Sequence, residues 1–464
     1  MAGREGTYRV ESDSMGEVHI PGWAYWGAQT QRAVENFGVS DLRIPASMIR
    51  ALALIKKHAA RANAELGLID GELAEAVVRA ASEVYEGTWD EHFPIDVFQT
   101  GSGTSWNMNA NEVIANRANE LLGKPIGTRS PVHPNDVVNR GQSSNDVIPT
   151  AVHVADRLEL ETALPRVRVL ASSLTAKAAE LAEVVKLGRT HLQDAVPMTL
   201  GQEFSGYAAQ IEKCAERLAA TSGNLEELAL GGTAVGTGIN CHPEMPGKAI
   251  AGIAEETGIP FRPATNRFEA IAARDAQVEL MGAVNVLAGA LMKIADDLRL
   301  LASGPRGALG EITLPSLQPG SSIMPGKVNP VIPEMVVQVG AHLQGKVASV
   351  TVGGRHGPLE LNMMHPVIAY ETVSALRLVG ETASAFAERC IDGITANAER
   401  ADYWIQWSLA LVTPLATEIG YDRAAELAHK AYEENRRIRD VVAEAGVVDP
   451  KRLDELLDPR NMIG

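Results

Sequence analysis

The sequence is poor in the residues that several common kinds of site require. It contains three cysteines in 464 residues, Cys214, Cys241 and Cys390, and none of them belongs to a C-x-x-C pair. Structural zinc sites and iron–sulfur clusters usually take cysteine ligands at short, regular spacings. The sequence therefore predicts neither kind of centre, and we expect three reduced thiols.

Basic residues are also in the minority. The chain has 42 Lys and Arg against 58 Asp and Glu, which gives a formal net charge of −16. Proteins that bind nucleic acids or anionic membranes need a positively charged surface. We therefore expect neither kind of partner, and an anionic small molecule would need a local cluster of positive groups and N–H donors.

Long apolar runs are missing too. No stretch of about 18 consecutive apolar residues, the length of a membrane-spanning helix, occurs in the chain. The first residues, MAGREGTYRVESDSMGEV, lack the apolar segment of a secretory signal. The sequence predicts a soluble, cytoplasmic protein.

What the sequence does have is strong helical periodicity. Between Ile271 and Ser303, apolar residues recur alternately four and three positions apart, as in a heptad repeat. They are Leu280, Val284, Leu287, Leu291, Ile294, Leu298 and Leu301. Similar patterns cover about 151–186, 200–230 and 333–352. These stripes are wider than one partner helix could cover, so we expect a mainly α protein whose long-helix bundle forms the core of a homo-oligomer.

The two flanks differ from this helical middle. Residues 1–142 combine a short strand pair near Tyr8 to Ile20 with shorter helices, and residues 394–464 show shorter periods than the middle. We therefore predict an N-terminal mixed, mostly helical domain (1–142), a central helix bundle (143–393) and a small C-terminal helical domain (394–464).

Four polar segments interrupt the hydrophobic pattern. They are TGSGTSWNMNANEV (Thr100–Val113), HPNDVVNRGQSSNDVIPT (His133–Thr150), GRTHLQD (Gly188–Asp194) at the predicted end of a helix, and QPGSSIMPGKVNP (Gln318–Pro330), a predicted loop. Each alone is more typical of a helix cap or a surface loop. Together their hydroxyls, amides and helix N-termini, with the positive charge of Lys327, favour a carboxylate-bearing ligand. No zincin, P-loop or G-x-S-x-G pattern appears in them, which favours a cofactor-free reaction.

Residues Gly320–Pro330, GSSIMPGKVNP, resemble the signature loop of the fumarase/aspartase superfamily. GRTHLQDAVPMTLGQEF (Gly188–Phe204) and GGTAVGTGIN (Gly231–Asn240) agree, and the resemblance runs from about Tyr8 to Gly464. It implies a three-domain, mainly α fold with a central five-helix bundle. It also implies a homotetramer with active sites shared between subunits, a small dicarboxylate substrate, and no metal or organic cofactor.

Within the superfamily, the clusters differ in which branch they resemble. TGSGT (Thr100–Thr104), HPND (His133–Asp136) and SSND (Ser143–Asp146) resemble class II fumarases, whereas GPLELNMMHPV (Gly357–Val367) is closer to aspartases. Clusters that contact substrate weigh more, so the resemblance favours the interconversion of fumarate and (S)-malate. Aspartate ammonia-lyase is the alternative, and a non-catalytic structural protein of the same fold is a remote one.

The resemblance also implies roles for individual residues. The implied catalytic residues are Ser321 as base, Lys327 on the substrate carboxylate, His191 acting on water and Glu334 as the partner of His191. The implied substrate contacts are Ser102, Thr104, Ser143, Ser144, Asn145, Thr190, Lys327 and Asn329, and a second dicarboxylate site is implied at His133, Asn135 and Asp136.

Trp106 departs from the resemblance, because related sequences usually have a small Ser or Thr at this position. The indole either packs away from the site or narrows its pocket. The sequence leaves both interpretations open.

Overall fold

The computed structural model describes residues 8–463, and the fold is mainly α-helical, as predicted. The α-helices are α1 (Ala28–Asn36), α2 (Ala46–Glu65), α3 (Gly71–Glu86), α4 (Thr104–Leu121), α5 (Ser144–Glu180), α6 (Leu200–Ala220), α7 (Ser222–Leu225), α8 (Met245–Thr257), α9 (Arg267–Ala272), α10 (Asp275–Leu301), α11 (Val331–Gly354), α12 (His365–Arg389), α13 (Ala398–Trp407), α14 (Leu415–Ile419), α15 (Tyr421–Glu433), α16 (Ile438–Ala445) and α17 (Pro450–Leu456). A short π-helix covers Pro134–Val138.

The strands are short and pair two by two. They are β1 (Tyr8–Asp13), β2 (Gly16–Pro21), β3 (Val185–Thr190), β4 (Gln193–Thr199), β5 (Glu227–Leu228), β6 (Arg262–Pro263), β7 (Ile312–Thr313) and β8 (Thr395–Ala396). Strands β1 and β2 form the predicted N-terminal hairpin, with Tyr8 opposite Pro21. Strands β3 and β4 form a second antiparallel hairpin, and β7 pairs with β8 antiparallel, whereas β5 and β6 are parallel.

The heptad pattern between Ile271 and Ser303 forms the predicted long helix, α10. All seven of its periodic apolar residues are at most 4% exposed. By length and composition α10 could span a membrane, but half of its most apolar stretch is buried within the chain. A helix at the centre of a bundle has the same properties, so this composition is weak evidence for a membrane.

The chain divides into two compact units. The first comprises the residues up to Leu164 with 217–286 and 342–379, and the second comprises 165–216, 287–341 and 380–464. The core of the first unit is formed by α2, α3, α4, α8 and the beginning of α5. A core of the second unit forms around α13 to α17 and Leu187 of β3. The three-domain division at residues 142 and 393 stays a prediction.

Trp106 lies in the core of the first unit. Its side chain is 0% exposed, and its indole Nε1 has no hydrogen-bond partner. The indole therefore packs into the interior of this unit, as the first of the two interpretations of Trp106 expects.

Candidate functional site

The Gly- and Pro-rich segment is a loop, as predicted, between β7 and α11 in the second unit. Two hydrogen bonds close it: the Gly320 N–H donates to the Lys327 carbonyl at 2.8 Å, and Asn329 Nδ2 donates to the Gly320 carbonyl at 2.7 Å. These bonds hold Ser321, Lys327 and Asn329 on one closed turn of chain.

Ser321 has a specific arrangement within this loop. Its Oγ accepts hydrogen bonds from the backbone N–H groups of Ile323 at 3.1 Å and Met324 at 2.9 Å. Two N–H donors aimed at one oxygen stabilise negative charge on it, as in an oxyanion hole. The loop therefore provides a hydroxyl whose deprotonated form has two donors already in place.

The loop needs glycine at Gly320 and Gly326 for different reasons. At Gly320, a Cβ atom would lie 2.4 Å from the Lys327 carbonyl oxygen and 2.8 Å from the Asn329 nitrogen. At Gly326 there is open space, but φ is +84°, a conformation that other residues rarely adopt. One glycine permits close backbone approach and the other permits the turn.

The segment GRTHLQD was predicted to end a helix, and this prediction is wrong. It forms the β3–β4 hairpin, with His191 and Leu192 in the turn at φ 55° and 60°. Thr190 lies opposite Gln193, so Thr190 and His191 sit at the exposed tip. A two-residue turn with positive φ at both positions matches the twist of the flanking strands.

Charged side chains fix this hairpin, with Arg189 beside the tip and Lys186 near the base. Arg189 donates to both carboxylate oxygens of Glu311, from Nη1 at 2.9 Å and from Nη2 at 3.0 Å. Lys186, also buried, lies 2.9 Å from the Glu203 carboxylate and 3.8 Å from that of Glu311. A bidentate Arg–carboxylate pair restricts geometry as well as adding energy, so the tip that carries His191 has a rigid support. Glu334, the predicted partner of His191, lies in the first turn of α11.

In the first unit, Ser102 and Thr104 lie at the start of α4. Their hydroxyls share a hydrogen bond of 2.8 Å. The preceding residue, Gly101, contacts the Gly357–Val367 segment so closely that a Cβ would lie 2.0 Å from the Met363 carbonyl oxygen. The His365 N–H also donates to the Gly101 carbonyl at 3.1 Å. The segment that is closer to aspartases therefore supports the turn that presents Ser102.

The SSND motif forms the N-terminus of α5. The Ser143 hydroxyl accepts from the Asn145 N–H at 3.2 Å, and Asp146 Oδ1 accepts from the Ser143 N–H at 2.9 Å. This reciprocal arrangement is that of a capping box. It places the hydroxyls of Ser143 and Ser144 and the amide of Asn145 at the positive end of a helix dipole.

Asp146 connects this helix start to the GGTAVGTGIN segment. Its Oδ2 accepts from the N–H groups of Gly231 at 2.8 Å and Thr233 at 3.0 Å, and Asn145 Nδ2 donates to the Ala234 carbonyl at 2.8 Å. Asp146 is fully buried, and burial raises its pKa despite these hydrogen bonds. Sequence reasoning missed this bridging role.

Behind the same helix start lies Lys56, which sequence reasoning also missed. Its side chain is 0% exposed, and Nζ donates to three amide oxygens: Asn107 Oδ1 and Asn139 Oδ1 at 2.8 Å, and Gln142 Oε1 at 2.9 Å. Burial lowers the pKa of Lys56 to about 7, an effect that the negative charge of Asp146 opposes. The available signal was a lysine on the otherwise buried, apolar face of α2.

The residues of the predicted second site also lie together, at the Pro134–Val138 π-helix. His133 Nδ1 lies 3.3 Å from the Asp136 carboxylate, and Nε2 lies 2.8 Å from Arg129 Nη2. Nδ1 also accepts the backbone N–H groups of Asn135 at 3.2 Å and Asp136 at 3.1 Å, so the ring caps the start of the π-helix. Burial lowers the pKa of His133. Arg129 adds a positive charge to this group that the sequence interpretation did not include.

No metal centre is evident in the part of the chain that the structure describes. Within residues 8–463, no three or more His, Cys, Asp or Glu side chains are grouped to hold a metal ion. None of the three cysteines forms a disulfide within residues 8–463, and burial raises the pKa of the Cys390 thiol to about 12.

Comparisons with known proteins agree along nearly the whole chain. A family model described as lyase matches residues 16–345, and one described as fumarase C C-terminus matches residues 411–464. The class II fumarate hydratase of Thermus thermophilus is 49% identical over 458 residues, 98% of each chain. The mitochondrial fumarate hydratase of Rattus norvegicus is 48% identical over 463 residues, 99% of this chain and 91% of its own. The crystal structure of class II fumarase from Schistosoma mansoni matches with a TM-score of 0.95 at 39% identity, over 98% of this chain and 99% of its own.

Proposed function

The chain belongs to the class II fumarase family, and we propose that it is a lyase that interconverts fumarate and (S)-malate by anti addition and elimination of water. The observation that carries the proposed mechanism is the geometry of Ser321, whose Oγ accepts two backbone N–H groups within its loop. This is the geometry expected of a hydroxyl that must hold a negative charge.

Ser321 acts as the base in this proposal. In the direction of elimination it removes the proton from the malate carbon next to a carboxylate. A serine hydroxyl is a weak base at neutral pH, so its alkoxide must be stabilised. The N–H groups of Ile323 and Met324 supply that stabilisation, and Lys327 adds a positive charge on the same loop.

Lys327 and Asn329 hold the substrate carboxylate that gains charge as the proton leaves. Interactions that strengthen in the transition state raise the rate, whereas interactions of constant strength only lower KM. One N–H of Asn329 Nδ2 closes the loop through the Gly320 carbonyl, and Nδ2 carries a second N–H for a ligand. The same amide thus links loop closure to substrate binding.

The water that is added or lost is handled by His191, with Thr190 beside it. Imidazole titrates near neutral pH and exchanges protons readily. Glu334 sets its tautomer in this proposal. The Arg189–Glu311 pair beside the tip of the hairpin supports a fixed position for the ring.

The remaining contacts bind the substrate carboxylates without adding full charges. Hydroxyls and an amide stand at the N-termini of α4 and α5, where N–H groups and the helix dipole favour anions. These proposed contacts are Ser102, Thr104, Ser143, Ser144 and Asn145. A second dicarboxylate site is proposed at His133, Asn135 and Asp136, with Arg129 as its cation. No metal or organic cofactor enters this proposal.

We further propose that the protein is a homotetramer with active sites shared between subunits. Val286 of α10 is 46% exposed and Val352 of α11 is 52% exposed in the single chain. A helical core shared between subunits would cover such side chains. Light scattering should then give about four times the chain mass of 49.5 kDa. We also propose a cytoplasmic location, although the rat relative is named as mitochondrial.

The test is the absorbance of fumarate with purified protein and either L-malate or L-aspartate. We expect fumarate from malate only, and loss of that activity in Ser321→Ala. Ser322→Ala is a matched control, because this exposed neighbour leaves the Ser321 oxygen and its two donors in place. Fumarate from aspartate alone would reassign the protein as an ammonia-lyase, and full activity of Ser321→Ala would refute the proposed base.

A further inference from the structure

We propose that Lys56 is a positioning residue for substrate binding: through Asn107 it orients the Ser144 hydroxyl so that its proton points to a substrate carboxylate. The inference rests on the proposed function. Lys56 lies on α2, and its hydrogen-bond partners are not among the residues proposed to bind the substrate.

The first step is the environment of the ammonium group. Lys56 is fully buried, and its three N–H groups meet three amide oxygens, those of Asn107, Asn139 and Gln142, at 2.8 to 2.9 Å. Three acceptors around Nζ favour the ammonium form, which can only donate, so in that form each amide turns its oxygen towards Lys56. The cation therefore decides which way three side-chain amides face.

The second step follows from the orientation of Asn107. With Oδ1 held by Lys56, its Nδ2 points the other way and lies 3.3 Å from Asn139 Oδ1 and 3.3 Å from Ser144 Oγ. Ser144 Oγ therefore accepts from Asn107. A hydroxyl that accepts on one side keeps its own hydrogen free to donate elsewhere, which is what a carboxylate ligand requires.

The other two amides hold the chain that precedes Ser144. Asn139 Nδ2 donates to the Gln142 carbonyl at 3.1 Å, and Gln142 Nε2 donates to the Val138 carbonyl at 3.1 Å. Both orientations are again fixed by Lys56. The same cation thus sets the backbone that leads into α5 and the polarity of the hydroxyl at its start.

The test measures kcat and KM for fumarate and malate in Lys56→Met, Ser144→Ala and the double variant. We expect Lys56→Met to raise KM by about 10- to 100-fold, the usual effect of losing a hydrogen bond to a charged group, with kcat within about threefold of wild type. Because both changes remove the same donor, the double variant should match Ser144→Ala alone. Lys57→Met is the matched control, since Lys57 is the neighbouring lysine, pairs with Glu256 and is expected to keep the wild-type KM.

Two results would overturn the inference in an active wild type: an unchanged KM in Lys56→Met, or KM effects that multiply in the double variant. Should Lys56→Met fail to fold, Asn107→Ala replaces it, because it leaves Lys56 two acceptors and removes only the amide that reaches Ser144. For Asn107→Ala, too, an unchanged KM or KM effects that multiply with those of Ser144→Ala would overturn the inference. A folded wild type without activity on either substrate would instead refute the proposed function, and this inference with it.

Discussion

Gly320→Ala is the sharpest test of the signature loop, because it adds one methyl group where the backbone leaves no space. The new Cβ would lie 2.4 Å from the Lys327 carbonyl oxygen, whereas ordinary contact begins at 3.4 Å. The Lys327 carbonyl also accepts the Gly320 N–H at 2.8 Å. The two strands of the loop must therefore separate by about 1 Å.

A displacement of this size has a large effect on a reaction that depends on aligned groups. Misplacing a catalytic group by about 1 Å can lower the rate by about 100-fold, equivalent to about 2.7 kcal/mol in the activation free energy. The loop is mostly exposed, so the free energy of unfolding should change by less than about 1 kcal/mol. The prediction is a large loss of kcat/KM at constant stability.

The assay is fumarate absorbance for kcat/KM, together with thermal unfolding of the same preparations. Gly307→Ala is the control, since a Cβ at Gly307 meets nothing within 4 Å. If Gly320→Ala kept kcat/KM within about threefold of wild type, the loop would not need its observed closure. A parallel loss of stability would mean that the loop supports the fold as well as the reaction.

Two further predictions concern buried side chains of the first unit. Trp106→Phe should lower the free energy of unfolding by about 1–3 kcal/mol through a small cavity, yet leave KM within about twofold of wild type, because the indole is buried and its N–H has no partner to lose. Denaturant unfolding measures the stability and steady-state kinetics measure KM. A changed substrate preference would contradict this prediction. Burial raises the pKa of Asp156 from 3.8 to about 7, so the folded state retains a proton that the unfolded state loses, and stability falls as pH rises from about 4 to 7. The free energy of unfolding of Asp156→Asn should therefore rise relative to that of the wild type across this window, by up to about 1.4 kcal/mol per pH unit. Denaturant unfolding of both proteins at pH 5 and 7.5 measures this. An equal difference in the free energy of unfolding at both pH values would refute the assignment.

The features that could be predicted from the sequence are those encoded locally. The Leu280 to Leu301 repeat predicted α10, because a heptad stripe specifies a helix whatever it packs against. Pro319, Pro325 and Pro330 predicted the loop, because proline lacks an N–H and disfavours helix in the residue before it. The SSND composition indicated a helix start but did not identify Ser143 as the capping residue, because serine and asparagine are both good N-caps.

The His191 hairpin could not be predicted in this way. Two-residue turns usually contain Asn-Gly or Asp-Gly, which adopt positive φ at low cost. Here His191 and Leu192 occupy those positions. Tertiary contacts, above all the Arg189–Glu311 pair next to the tip, hold a turn that its own residues do not favour.

Lys56 could not be predicted either, because its meaning depends on partners from other segments. On sequence alone, a lysine on an apolar helix face reads as a side chain that extends its ammonium group to the surface. In the fold it is enclosed by amides from α4 and from residues 139–142. Three-dimensional packing therefore determines whether such a lysine is a surface group or part of a site.

The two lysines of the proposed site have different tasks, and the difference follows from when charge appears. A cation in contact with a carboxylate of constant charge would bind substrate and transition state alike, which lowers KM without raising kcat. In the proposed mechanism, neutral hydroxyls at the start of α5 bind that carboxylate, whereas the charge of Lys56 lies behind the Asn107 amide. Lys327 instead belongs to the loop of the proposed base, and the same mechanism assigns it to the carboxylate that gains charge as the proton leaves. On this reasoning Lys327→Met should lower kcat far more than Lys56→Met does, and equal effects on kcat would show that the two positive charges are not divided between binding and catalysis.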